Sequence, residues 1–205
     1  MSISKQKMKV LHIVNSIDKS TGGPARSVTH TCVELAKLGV SISLITQDSL
    51  DKIDVEVTNN LTISYKTIGE LFIYGSRLTK NDFDLIHLQH IWNPYIEVMA
   101  FWAHKKKIPY IITPRGMLEP WIMAHNPWKK KLGMFLYQDK AIKKAAHIHV
   151  TAFMEQQSVR NLGYTNPITI IPNGIDGSRI IGAKKSYGSK KVVFLSRIHP
   201  KKGIE

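Results

Sequence analysis

A chain of 205 residues with 43% hydrophobic residues can bury one large α/β core, or one domain and the start of another. No apolar run reaches about 18 residues, which argues against a membrane-spanning helix, and the polar start of the chain lacks the apolar stretch of a secretory signal. A formal net charge of +14 implies an anionic partner: nucleic acid, an acidic lipid surface or a phosphate-bearing substrate.

Short β-branched runs alternate with helical patterns. Val10–Val14 reads as a strand. A loop with Gly22, Gly23 and Pro24 follows, then a helix with apolar positions Ala25, Val28, Cys32, Leu35 and Ala36, stopped by Gly39. Cys32, the single cysteine, cannot close an internal disulfide and is expected to be a buried small side chain; the cytoplasm is the expected compartment. Ile42–Thr46 is the next strand, and residues 50–80 suggest one or two strands around Val55 and Ile63, then a helix. Leu85–Leu88, Tyr110–Thr113, His147–Thr151 and Ile168–Ile171 are further strands. Helices are expected at 94–107, 128–146 and 153–162, the first two opened by Asn93-Pro94 and Asn126-Pro127 with Asn as cap. The alternation predicts a Rossmann-like α/β fold, a parallel sheet flanked by helices, with ligands at the carboxyl ends of its strands. The domain is expected to span 1–176. Residues 177–190 read as a polar linker, and 191–205 as the start of a second domain, opened by a buried strand at Val192–Leu195.

Four places carry chemistry. Gly22-Gly23-Pro24-Ala25-Arg26 is either a plain tight turn or a loop that lets a ligand approach the backbone and a helix start. His87 alternates with apolar residues and reads as a hydrogen-bonded core histidine, whereas His90 lies past the strand end, where a cleft would form. No acid or cysteine stands at ligand spacing from them, so no zinc site is expected. Arg115 and Glu119 sit just past another strand end. They suit a phosphate and sugar hydroxyls, or form a surface ion pair. In 128–146, Leu132, Phe135, Ile142, Ala145 and Ala146 should form one face and Lys129, Lys130, Lys140, Lys143 and Lys144 the other. That basic face is either solvated or resting on anionic lipid. No zinc finger, RNP-type motif or helix-turn-helix can be read in the sequence and the aromatic residues are not interleaved with the basic ones, so no nucleic-acid partner is expected. A nicotinamide enzyme fails for want of the phosphate fingerprint.

Lys9-Val-Leu-His-Ile-Val14 with Gly22-Gly23, Asp84-Leu-Ile-His-Leu-Gln-His-Ile-Trp-Asn-Pro94, Ile171-Pro-Asn-Gly-Ile-Asp176 and Ser196-Arg-Ile-His-Pro-Lys-Lys-Gly203 together resemble glycosyltransferase family 4, a retaining group of GT-B architecture. Gln89 and His90 stand where that pattern usually has His and Gly, and many relatives have His where Arg115 stands. Pro114–Trp121 resembles a subgroup of bacterial surface-polysaccharide enzymes. The resemblance implies a sugar moved from a nucleotide-diphosphate donor to a glycan or lipid-linked acceptor. Arg197 and Lys202 would hold the donor diphosphate in place of a metal, with no other cofactor. Gly22, Gly23, Arg26, His90, Arg115 and Glu119 would border the acceptor side. The family's E-x₇-E element would lie beyond Glu205, so the 205 residues alone are expected to be inactive, and a peripheral place on the inner membrane face would suit a lipid-linked acceptor. The alternative is a non-catalytic acceptor- or membrane-binding module.

Overall fold

The computed structural model describes residues 7–56, 58–175 and 192–195. Among the described residues, seven strands form one sheet: β1 (Lys9–Ile13), β2 (Ser41–Thr46), β3 (Leu61–Tyr65), β4 (Leu85–Gln89), β5 (Tyr110–Thr113), β6 (His147–Val150) and β7 (Ile168–Ile170). Every pairing is parallel, and the order is β3-β2-β1-β4-β5-β6-β7. The connecting helices are α1 (Gly23–Lys37), α2 (Ile68–Arg77), α3 (Pro94–Lys106), α4 (Pro120–Ala124), α5 (Pro127–Gly133), α6 (Asp139–Lys144) and α7 (Phe153–Asn161). This is the Rossmann-like architecture expected from the strand–helix alternation.

Parallel crossovers are right-handed, so helices change faces when the chain reverses its direction of travel along the sheet. Two cores result. Val28, Cys32 and Ala36 of α1 pack on Val10, Ile42 and Leu44. On the other face, Leu71 of α2, Met99 of α3, Ile142 of α6 and Val159 of α7 join Leu11, Ile86, Leu88 and Ile112. Helix ends follow local chemistry. Thr67 and Glu70 form a capping box on α2, and Asn93 Oδ1 accepts from Tyr95 N at 2.8 Å at the start of α3. Beyond α1, Gly39 has φ +94°, the left-handed conformation that a glycine adopts without strain.

Four expectations need correction. Val55 forms no strand: nearby Lys52 makes an isolated bridge to Asp18 in the loop after β1, and Val55 packs on the α1-side core instead. Asn126 has φ 51° and makes no side-chain cap. The helix at 128–146 forms, but a π turn at Met134–Gln138 interrupts it. The wide turn carries Gly133 and Gln138, five residues apart, both into the interior, where the Gln138 side chain accepts from Trp92 N at 2.7 Å. The inner face is therefore Gly133, Gln138, Ala141, Ile142 and Ala145, whereas Leu132, Phe135 and Ala146 are exposed. Finally, Val192–Leu195 is exposed and in no strand, having no ladder partner among the described residues.

By its internal contacts the chain divides into two units, Met1–Asn173 and Gly174–Glu205. All seven strands lie in the first, and of the second only Gly174, Ile175 and 192–195 are described.

Helices α2 and α3 approach closely at Gly75. A Cβ there would fall 2.4 Å from Trp102 Cδ1 and 2.7 Å from its Cγ. Overpacking a fixed ring costs about 1–3 kcal/mol, which outweighs the gain of up to about 1 kcal/mol that alanine brings to a helix. Gly75→Ala is expected to lose about 1–2 kcal/mol in urea unfolding. A neutral or stabilised variant would show that Trp102 moves freely.

Candidate functional site

In this strand order the direction of travel reverses between β1 and β4, and the crevice at such a point, beyond the carboxyl ends, is where α/β sheets bind ligands. Gly22–Gly23 flanks it from the β1 side and His90 from the β4 side. Gly22 caps α1 with φ 80°, a conformation suited to glycine. No side chain caps the first N–H groups of α1, and a Cβ at Gly23 would meet nothing within 4 Å, so space stands before the helix start. Arg26 is exposed on the first turn.

Strain concentrates across the crevice. His90 (φ 78°), Trp92 (φ 63°) and Arg115 (φ 53°) all occupy the left-handed region in the loops after β4 and β5. Each costs on the order of 1 kcal/mol, a cost typically found where a site needs a particular geometry.

The half-buried Arg115 is the centre of this loop cluster. Its Nε and Nη2 donate to Gln89 Oε1 at 3.1 and 2.9 Å, and its Nη1 donates to Asn173 Oδ1 at 3.0 Å. Burial pulls its pKa down and the Glu155 carboxylate opposes that shift; an arginine keeps its proton regardless. Amide oxygens hold the guanidinium without cancelling its charge. Glu155, only 3% exposed, braces the same loop. Its Oε1 accepts from Gly116 N at 2.6 Å, and its Oε2 accepts from Thr151 N at 2.8 Å and Thr151 Oγ1 at 3.0 Å. The first turn of α7 is thereby tied to the loop that presents Arg115.

His90 is half-buried, and burial, then the Arg115 charge, pushes its pKa down to about 4. Its imidazole is neutral near pH 7 and can donate to or accept from a sugar hydroxyl. Behind it, polar side chains cross the sheet. His87 Nε2 lies 2.8 Å from Thr113 Oγ1, Thr113 Oγ1 lies 3.1 Å from His149 Nδ1, and His149 Nε2 lies 2.9 Å from Ile171 O. His87 is thus a hydrogen-bonded histidine, as its alternation with apolar residues suggested. His12, 1% exposed, lies with its ring 4.9 Å from that of His87 and tilted 47° to it, and neither of its ring nitrogens has a partner among the described residues. Glu119 caps the short α4 by position, half-buried, its N–H donating to Gly116 O at 3.1 Å.

The structure therefore brings His90 and Arg115 together and sets Gly22, Gly23 and Arg26 on the same sheet edge. The basic residues of α5 and α6 belong elsewhere, on the outer face of the helical layer. Arg197 and Lys202 lie outside the described residues. That Gln89 and Asn173 hold Arg115, and that Glu155 braces its loop, emerges only from the fold. Among the described residues no three His, Cys, Asp or Glu side chains gather as a metal-binding set.

The sequence profile of Glycosyltransferase Family 4 matches residues 21–179. A search of curated proteins gives no significant match. Among solved structures, the chain is similar to sucrose-phosphate synthase from Thermosynechococcus elongatus (12% identity, TM-score 0.58), covering 81% of this chain and 48% of that one. It also resembles UDP-GlcNAc 2-epimerase from Methanocaldococcus jannaschii (15% identity, TM-score 0.55), covering 81% and 46% respectively. A third is Anabaena Alr3699/HepE, solved in complex with UDP-glucose (15% identity, TM-score 0.55), covering 82% and 44%. At these identities the likeness is one of fold, and the chain spans about half the length of each structure. With the profile covering most of the sheet and its loops, the chain belongs to Glycosyltransferase Family 4.

Proposed function

We propose that this chain supplies the acceptor side of a retaining transferase that moves a sugar from a nucleotide-diphosphate donor to a glycan or lipid-linked acceptor, in polysaccharide synthesis. The observation that carries the reading is the fixed, charged Arg115 beside the neutral His90, at the crevice where the strand order reverses. Arg115 would hold a phosphate or an anionic sugar group, and His90 would meet a hydroxyl. The profile match, and the UDP-glucose held by the fold relative HepE, support a nucleotide-sugar donor. In this reading Arg197 and Lys202 offset the leaving diphosphate's charge, so no metal is required.

Residues 1–205 should be offered UDP-, GDP- and ADP-sugars with glycan and lipid-diphosphate acceptors, and both binding and transfer measured. Acceptor binding is expected, with negligible turnover. Arg115→Ala should weaken binding about ten- to a hundredfold, the worth of a charge-assisted hydrogen bond, while Arg115→Lys loses less. Unchanged affinity in Arg115→Ala would show that the site is misplaced. Robust turnover by residues 1–205 would put the reacting groups inside them and overturn the division of labour proposed here.

A further inference from the structure

The π turn leaves an unusual outer surface. Trp128, Leu132 and Leu136 follow one another at intervals of four, with Phe135 beside them, and they are 64%, 51%, 63% and 85% exposed. Lysines stand among them. Lys130 is withheld, its Nζ donating to Ile122 O and His125 O, and Lys143 pairs with Asp139 at 2.8 Å. Lys129, Lys131, Lys140 and Lys144 form no ion pair among the described residues. The apolar face continues inward as a cavity of about 480 Å³ between α3 and α6, walled by Phe101, Leu136 and Tyr137, with Lys105, Lys140 and Lys144 also lining it. No helix among the described residues is long and apolar enough to cross a membrane.

We propose that this face docks on an anionic lipid bilayer: Trp128, Leu132, Phe135 and Leu136 enter the headgroup–acyl boundary, and Lys129, Lys131, Lys140 and Lys144 meet lipid phosphates. Aromatic and aliphatic side chains flanked by lysines are what an interfacial helix presents. A second copy of this chain fits poorly, because a two-fold contact would press lysines against lysines. A nucleic acid would make no use of Leu132 and Leu136, which cannot stack on bases. The inference does not depend on the transfer chemistry: this surface is separate from the crevice and is tested without any sugar.

The test is flotation of residues 1–205 with vesicles of phosphatidylcholine, alone or mixed with phosphatidylglycerol. The chain should float with the anionic vesicles only, and its tryptophan emission should shift to the blue. Changing Lys129, Lys140 and Lys144 together to Gln should weaken binding about a hundredfold at low salt. Phe135→Ser with Leu136→Ser should weaken it about tenfold or more, and that loss should persist as salt rises, because burial of apolar surface is not screened. These side chains are exposed, so unchanged circular dichroism is expected of both variants. Failure to float with the anionic vesicles would overturn the proposal, as would equal flotation of native chain and both variants. Tighter binding to single-stranded RNA than to vesicles would do the same, and so would a dimer that Phe135→Ser dissolves.

Discussion

Between about pH 7.5 and pH 4, the native chain is expected to lose about 3 kcal/mol of stability relative to a His12→Leu variant. Burial, then the Arg115 charge, lowers the His12 pKa from 6.5 to about 4. In the unfolded chain the same imidazole takes its proton near 6.5. The folded form therefore binds fewer protons between these values, and stability falls as pH falls through that window. Above 6.5 the contribution is complete, and below about 4 nothing further is lost. His87, His90 and His149 shift in the same direction. Glu97 works against them. Burial raises its pKa to about 7, so the folded form gains a proton first and is favoured as pH falls toward the carboxylate's ordinary 4.5. The total profile is thus partly cancelled, and the informative quantity is the difference between native and variant in urea titrations at several pH values. A difference that does not change with pH would mean that His12 takes its proton at the same pH in the folded and unfolded chain.

Glu155→Ala is expected to cost about 3–5 kcal/mol, the range seen when one partner of a buried charged network is removed. The alanine would leave the N–H groups of Gly116 and Thr151 and the Thr151 hydroxyl without their acceptor, and Arg115 without its nearby carboxylate. Glu155→Gln keeps one acceptor oxygen and should lose less. Because Glu155 braces the Arg115–Gly116 loop and its charge faces Arg115, Gln should also weaken acceptor binding while leaving circular dichroism intact. Unfolding midpoints of the two variants measure the first effect. Native-like stability of Glu155→Ala would remove this residue from the account.

Much of this was legible before the fold was known, for identifiable reasons. Strands buried on both faces, such as Leu85–Gln89 and Tyr110–Thr113, read as short β-branched runs between helical patterns, and their alternation implies parallel pairing. Position past a strand end was enough to single out His90 and Arg115. Partners were not legible. Gln89 and Asn173 are 26 and 58 residues from the arginine they hold, and no local pattern announces contacts at such separations. Glu155 carried a weak local signal, an acid in the first turn of α7 following Thr151, but nothing in sequence connects it to Gly116. The resemblance gave one hint whose meaning needed the structure: His90 stands where Gly is usual, and its φ of 78° is why a glycine suits that place. A strict period of 3.6 placed Leu132 and Phe135 on the face of Ile142 and Ala145, because it takes no account of the wide turn that shifts the two ends of the helix out of register with each other.

The sheet order also has a consequence for biosynthesis. The first of these seven strands to be made, β1, ends up inside the sheet, with β2 paired on one side of it and β4 on the other. Residues up to about 65 already contain nearly all of the core under α1, so β1, α1, β2 and β3 can associate as soon as they leave the ribosome. The far edge of β1 then stays bare until Leu85–Gln89 is translated, and Leu11, Ile13 and Ile45 wait longer still for α3 to cover the opposite face. An open edge beside an uncovered apolar face invites pairing with other chains, so the nascent protein is most exposed to aggregation while α2 and α3 are being made.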